Sequence, residues 1–321
     1  MSNGAPANAG TLRPSAALLA ATAVWGATFV TVKDALEATD AFTFLAIRFA
    51  VGALASVALS KLFKEPRANV TRAALVLGLL LFGGYLLQTL GLERTTPARS
   101  AFVTGLTVIF VPFVAWRLER KRPPLRSFVA PFVALFGLQQ LTSFRFDAEL
   151  PAGDLFTLGC AFLYAFHIVL MGRYAKGFSP VAPPAQQGFS PVAPPAQQGL
   201  PVMRLTAGQL LVVAVLSTSC LPFIERRFAS TPTVWFSIVF TGVVASALAI
   251  GAQAWAQRQL TSVRAAVIYS TEPVFAVLTV AALGHGLPGG PELRGGALIL
   301  LAVLISEVPL GEILGRKAPS S

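Results

Sequence analysis

Predominantly apolar runs of 16 to 24 residues recur along this chain, and no other feature of it constrains the fold as tightly. They cover residues 16–32, 41–60, 73–92, 98–116, 127–144, 155–171, 205–223, 233–256, 265–283 and 291–306. A bilayer core about 30 Å thick is crossed by roughly 20 such residues in a helix, so the pattern reads as ten membrane spans. Internal Gly83, Gly84, Pro112 and Pro273 fit that reading, because neighbouring helices re-satisfy freed backbone groups in a bundle. Composition points the same way. With 55% apolar and 12% charged residues over 321 positions, and a mean hydropathy of +0.68, the chain carries about half the charge of a soluble domain. Its hydrophobicity excludes disorder for most of its length. So few charges could hardly coat a large soluble body.

Loop charge sets the orientation. A net charge of +11 would suggest nucleic acid in a soluble protein; here it reads as basic cytoplasmic loops, with no nucleic-acid partner. With the N-terminus inside, 17 of the 25 Lys and Arg fall in inside loops and 7 in outside loops, Arg48 lying within a span. That bias puts both termini in the cytoplasm of a multi-pass inner-membrane protein. Residues 1–14 form a small polar leader expected to be disordered. The apolar run after it shows no cleavage pattern and reads as a mature helix rather than a signal peptide. Residues 15–144 make a first five-helix repeat, and 145–174 an outer loop with the first helix of a second repeat. Residues 175–203 are a cytoplasmic linker, 204–308 the remaining four helices and 309–321 a tail. The linker writes GFSPVAPPAQQ twice in succession, at 177–187 and 188–198. Such a Pro-rich tract without periodicity is a flexible, partly extended connector.

Spans one to five resemble spans six to ten. Trp25 stands eight residues before Lys33, and Tyr164 nine before Arg173. Arg48-Phe49 in span two corresponds to Gln209-Leu210 in span seven. Leu92-Glu93-Arg94-Thr95 closes span three as Ala256-Gln257-Arg258-Gln259 closes span eight, and Pro112 of span four has Pro273 of span nine as its counterpart. The register slips: Arg94 precedes Pro112 by 18 residues and Arg258 precedes Pro273 by 15. Because five is odd, the second half starts on the opposite membrane face. The expected fold is therefore an all-α integral membrane protein of ten transmembrane helices, two inverted-topology five-helix repeats about an in-plane axis. Rotation of about 180° should bring Trp25 near Tyr164 and Pro112 near Pro273.

Charge inside a bilayer is costly and is kept for a reason. Arg48 and Glu272 are the two such groups clearly within spans. Arg48 either recognises a substrate carboxylate or, like Gln209, fills a polar structural slot. Glu272 either takes up a proton or holds helices together, next to a backbone that Pro273 loosens. Both are candidates for gating or coupling at moving seams. Residues three apart share a helix face, and four such pairs set a ring beside a hydrogen-bonding group: Trp25 with Thr28, Tyr85 with Gln88, Tyr164 with His167, Tyr269 with Glu272. Such faces suit an amphipathic organic solute. A substrate site is thus expected on Trp25, Tyr85, Gln88, Tyr164, His167 and Tyr269. The competing reading of the aromatics is an interfacial belt, which fits Trp116 and Trp235 at span ends. His167 is either a proton relay or a hydrogen-bonded packing residue, and His285 falls in an outer loop. Cys160 and Cys220 sit in apolar runs without disulfide or metal spacing.

Taken together, WGATFV at 25–30, Arg48-Phe49, GLERTTPARSAF at 91–102 and STEPVFAVL at 270–278 resemble the EamA family of the drug/metabolite transporter superfamily, over roughly residues 16–306. Within it the chain looks most like the YddG-type amino-acid exporters. The resemblance implies ten helices, two inverted halves and export of small metabolites. The long doubled linker departs from the family pattern. The expected function is secondary export of small amphipathic metabolites, aromatic or neutral amino acids first, by alternating access. A transporter of another organic solute, a lipid-modifying enzyme and a scaffold are the alternatives. No paired acids, His-Cys cluster or phosphate-cradling glycine loop is present, so no enzyme activity, no cofactor and no metal are expected. The expected partners are a small-molecule substrate and the lipid bilayer, around a monomer.

Overall fold

The computed structural model describes residues 9–119, 126–142, 151–177, 200–283 and 289–307. The doubled segment of the linker lies almost wholly outside these residues, as do the first eight positions of the leader, the tail from 309 and His285. Among the described residues thirteen α-helices follow one another: α1 (Ala9–Leu36), α2 (Ala41–Leu62), α3 (Thr71–Glu93), α4 (Pro97–Gly105), α5 (Thr107–Glu119), α6 (Arg126–Thr142), α7 (Ala152–Ala175), α8 (Val202–Cys220), α9 (Pro232–Val239), α10 (Ala249–Ala256), α11 (Ser262–Tyr269), α12 (Glu272–Ala282) and α13 (Gly290–Glu307). Among the described residues the one β feature is a single bridge between Thr39 and Phe228. Among the described residues eight helical stretches are long and apolar enough to cross a membrane: α1, α2, α3, α4 with α5, α7, α8, α9 through α10, and α11 with α12. The chain is a multi-pass membrane protein. The remaining two runs fold as α6, of 17 residues, and α13, which carries Glu292, Arg294 and Glu307.

Spans four and nine are helical but broken. In span nine the hydroxyls of Ser270 and Thr271 donate back to the carbonyls of Val267 and Ile268, at 2.6 and 2.7 Å. Pro273 has no N–H to continue the ladder, so the helix stops at Tyr269 and restarts at Glu272. In span four the chain turns at Leu106, where Thr107 Oγ1 donates to the Thr104 carbonyl at 2.6 Å. Both second half-helices begin immediately after such a turn. Pro273 sits in the first turn of α12, whereas Pro112 lies inside α5.

Span eight holds a different irregularity. Between α9 and α10, Phe240–Leu248 is a π-helix, the form taken by a helix that accommodates an extra residue. Gly242 precedes the helix-capping Thr261 by 19 residues, whereas Gly78 precedes the capping Thr96 by 18. The π segment is that extra residue.

The packing pairs are unchanged when the two halves trade places. α2 packs on α8 and α6 on α13; α3 packs on α7 as α1 packs on the span that ends in α10; α5 packs on α7 as α12 packs on α1. α3 meets α8 as the π segment meets α2. Two close approaches repeat in the same sense. A methyl group added at Gly242 would stand 2.7 Å from the Arg48 carbonyl oxygen, and one added at Gly78 would stand 3.0 Å from that of Gln209, so both crossings require glycine. Lys33 Nζ donates to the carbonyls of Leu92, Glu93 and Thr95, and Lys176 Nζ donates to that of Leu260. This pairs Lys33 with Lys176 rather than with Arg173. The eight-residue step from Lys33 back to Trp25 then lands on Ile168 in the second half.

Equivalent helices run antiparallel. Asp40, the N-cap of α2, accepts from the backbone N–H of Arg227 beyond α8, and Glu65, beyond α2, accepts from Met203 and Arg204 at the start of α8. In the other pair, Gly137 faces Ile299 while Leu141 faces Gly295. Two apolar cores result. One gathers Phe44, Phe49, Leu77, Leu205 and Ile238; the other gathers Phe102, Val111, Leu138, Ala266 and Ile299. α1 and α7 contribute to both cores, and Trp25 packs against both.

Candidate functional site

A cavity opens where the two cores meet. Space open to the centre of a water molecule is about 80 Å³, against roughly 10–15 Å³ needed for a single water. All six residues expected to form a site line it: Trp25, Tyr85, Gln88, Tyr164, His167 and Tyr269. Glu272 lines it as well; Arg48 does not. The walls come from α1, α3, α4, α5, α7, α10, α11 and α12, drawn from both halves of the chain.

Aromatic rings build the walls. Trp25 meets Tyr269 edge-on at 5.4 Å between centroids, and Tyr85 meets Tyr164 edge-on at 5.6 Å, the arrangement ring quadrupoles favour. The Trp25 indole N–H donates to the Ala245 carbonyl at 2.7 Å. That acceptor lies in the π segment, where i→i+5 pairing replaces the regular ladder. Tyr164 is held by its hydroxyl, which donates to Gln88 Oε1 at 3.2 Å, while Gln88 Nε2 donates to Thr104 Oγ1 at 3.3 Å. Gly84 lets α7 come this close: a methyl group there would collide with the Tyr164 ring.

Other polar groups in the wall are engaged as well. His167 Nε2 lies 2.9 Å from Gln209 Oε1, both residues buried. Gln253 Nε2 donates to Gln257 Oε1 at 3.1 Å. Two others are not. The Tyr269 hydroxyl is buried without a hydrogen-bond partner, and no hydrogen bond or ion pair joins Glu272 to another described residue. Glu272 opens α12, where the positive end of the helix dipole favours a carboxylate. Arg48 stands behind the wall. Its guanidinium carbon is 4.7 Å from the Tyr85 ring centroid and 5.0 Å from that of Phe49, and its Nε donates to Ser246 Oγ at 3.3 Å. Arg48 and Glu272 form no ion pair with each other. Among the described residues no group of three or more His, Cys, Asp or Glu could hold a metal ion.

Sequence reasoning missed Thr104, Thr107, Gln253 and Ser270, which also line the cavity. Gln253 was reachable. Gln88 precedes Thr96 by eight residues and Gln253 precedes Thr261 by eight, so the two glutamines occupy equivalent places. A comparison aligned on the far side of the π segment finds them.

A helical membrane protein closed around a cavity shared by two halves is the class that these observations define. Comparison with known proteins makes the class specific. The sequence matches the EamA-like transporter family twice, over residues 14–142 and 189–307, and the chain belongs to that family. It is a membrane transporter. α7 lies between the two matched segments. A protein of Archaeoglobus fulgidus described as an uncharacterized transporter is 27% identical over 284 residues, which is 88% of this chain and 82% of that one. A protein of known crystal structure superposes with a TM-score of 0.75 at 19% identity, covering 93% of this chain and 99% of its own. That likeness concerns the fold.

Proposed function

We propose that this transporter exports small amphipathic metabolites, aromatic and neutral amino acids first, as a YddG-like member of its family. The observation that carries the reading is the central cavity, aromatic on its walls, with a few placed polar groups and helices from both halves around it. A small-molecule site is built in this way. The cycle is alternating access between two inverted five-helix repeats. Support comes from the antiparallel pairing of α2 with α8 and of α6 with α13, since a two-fold axis that exchanges antiparallel helices lies perpendicular to them. α6 and α13 complete ten spans in this reading. At 1.5 Å per residue, their 17 and 18 residues reach roughly 26 and 27 Å, near the thickness of the bilayer core. Both termini and the Pro-rich linker then face the cytoplasm of an inner membrane, and the working unit is a monomer. Counterflow in proteoliposomes loaded with unlabelled phenylalanine, tyrosine or leucine tests the reading. Saturable accumulation of the labelled solute, lost in Tyr85→Ala and Tyr164→Ala variants that still fold and elute as the parent does, is the expected result. Parental counterflow in both variants would place the solute path elsewhere.

A further inference from the structure

We infer that the cavity selects its solute by an ammonium group, seated between the Glu272 carboxylate, the Tyr269 hydroxyl and the aromatic walls, and that it makes no demand for a substrate carboxylate. The inference rests on the reading of the cavity as the transport site. It begins from what lines that space: no lysine or arginine, and one carboxylate. Glu272 is half-buried at the cavity within a span, and a carboxylate so placed calls for a cation or for hydrogen-bond donors. Glu272 has neither from the protein, and the dipole of α12 only holds it in place. The Tyr269 hydroxyl, in a residue 9% exposed, is likewise without a partner. Two residues, Ser270 and Thr271, separate the two across the helix break. An ammonium group has three N–H donors, enough to serve both oxygens while leaving its remaining face to a ring.

The rings suit the same group. Trp25, Tyr85, Tyr164 and Tyr269 form two edge-on pairs around the cavity, and aromatic faces attract organic cations. A substrate carboxylate finds no equivalent reception. Arg48 is not part of the lining; its guanidinium lies against the Tyr85 and Phe49 rings and its Nε is bonded to Ser246, and His167 is taken by Gln209. The positive end of α12, a natural seat for an anionic group, is filled by Glu272 itself. The substrate class is therefore a primary amine with an aromatic or bulky apolar body. Amino acids enter as members of that class through their amino end.

Binding to the purified full-length protein in nanodiscs, measured by competition and by tryptophan fluorescence, tests this with six probes of one body: phenethylamine, phenylalanine, phenylalanine methyl ester, N-acetylphenylalanine, hydrocinnamate and phenethyl alcohol. The amine and the ester should bind at least about tenfold tighter than N-acetylphenylalanine and hydrocinnamate, with phenylalanine in between. Glu272→Gln should weaken the amine at least about 30-fold, the scale of a lost buried charge partner, and leave phenethyl alcohol within about twofold. Tyr269→Phe should weaken the amine about 3- to 10-fold. Hydrocinnamate binding as tightly as the amine, or parental amine affinity in Glu272→Gln, would overturn the inference. Should Glu272→Gln fail to fold, the order of the six probes on the parental protein decides alone. Binding of the alcohol and the acid without preference for the amine sinks this inference and spares the transport site. Absence of binding by all six sinks both.

Discussion

Deleting Val243 from the π segment should be tolerated, whereas deleting Leu80 from α3 should not. The two positions lie in equivalent spans, and a deletion normally turns everything beyond it by about 100° and shortens the helix by 1.5 Å. In α3 that rotation would carry Leu81, Tyr85 and Gln88 off their faces. Leu81 and Tyr85 are 3% and 8% exposed, and losing a large buried side chain costs about 2–5 kcal/mol each. Against a total stability of about 5–15 kcal/mol, the Leu80 deletion should prevent folding. In span eight the extra residue is already absorbed as a π-turn, so its removal leaves Gly242 and Gln253 on their present faces and restores a regular helix. What is lost is the Ala245 carbonyl as acceptor for Trp25, held at 2.7 Å, and part of a half-buried valine. Together these amount to about 1–3 kcal/mol. At roughly 2–4 °C per kcal/mol for a chain of this order of size, melting in detergent should fall by a few degrees up to about 10 °C, with a monodisperse elution profile retained. Counterflow should decline, because Trp25 is no longer anchored. Equal damage from the two deletions would show that the π segment is not an inserted residue and would undo the alignment of Gln88 with Gln253.

Further predictions follow from the same geometry. Tyr164→Phe should keep the fold and the ring contact with Tyr85 but release Gln88, raising the half-saturation concentration for a transported solute about 3- to 10-fold, read from counterflow. Asp154→Ala should be among the more destabilising single changes, about 2–4 kcal/mol by melting, since it leaves Arg99 without the carboxylate that now lies 2.6 Å from it; adding Arg99→Leu should return part of that loss. Gly242→Ala and Gly78→Ala should each cost about 1–3 kcal/mol, since each methyl meets a carbonyl oxygen across a helix crossing. A cysteine at Ser179 should escape an impermeant thiol reagent in intact cells and react after permeabilisation; labelling from outside would reverse the topology.

The legible part of this fold was its apolar rhythm. Each of the ten runs is helical in its described residues, and the ends of α2 and α3 fall within two residues of the runs that announced them. Local chemistry that interrupts a helix was harder to read. Ser270 and Thr271 look like ordinary apolar-helix residues until their hydroxyls are seen turned back on the preceding turn. The slipped register between the halves was visible as a mismatch, but its sources were not. One source is the pairing of Pro112, which lies inside α5, with Pro273, which lies in the first turn of α12; another is the single residue absorbed near Gly242, which a helix can hide as a π-turn and which pairs Arg94 one residue short of its true counterpart. Arg48 illustrates a different limit. A buried charge in a span calls for a partner, but a list of ionisable residues suggests an acid, and the structure supplies the ring of Tyr85 and the hydroxyl of Ser246. Spacing of three within a helix did collect the cavity rings, because a shared helix face is a local property.

Packing that survives an exchange of its halves has a thermodynamic consequence. Any shape in which the first half adopts one conformation and the second half another has a twin in which the conformations are traded. In the alternating-access cycle proposed above, the twin opens the opposite mouth of the cavity with the same kinds of contact. To first order the two are isoenergetic, and the bias between them is set where the halves are unlike. Three such places are visible. Lys33 ties three carbonyls where Lys176 ties one, Arg48 stands where the other half has Gln209, and one span carries an extra residue. A difference of about 1.4 kcal/mol summed over them sets a tenfold preference for one mouth. The resting direction of such a molecule is thus written in its imperfections as a duplicate, and repairing one of them, as by Arg48→Gln, acts on that balance.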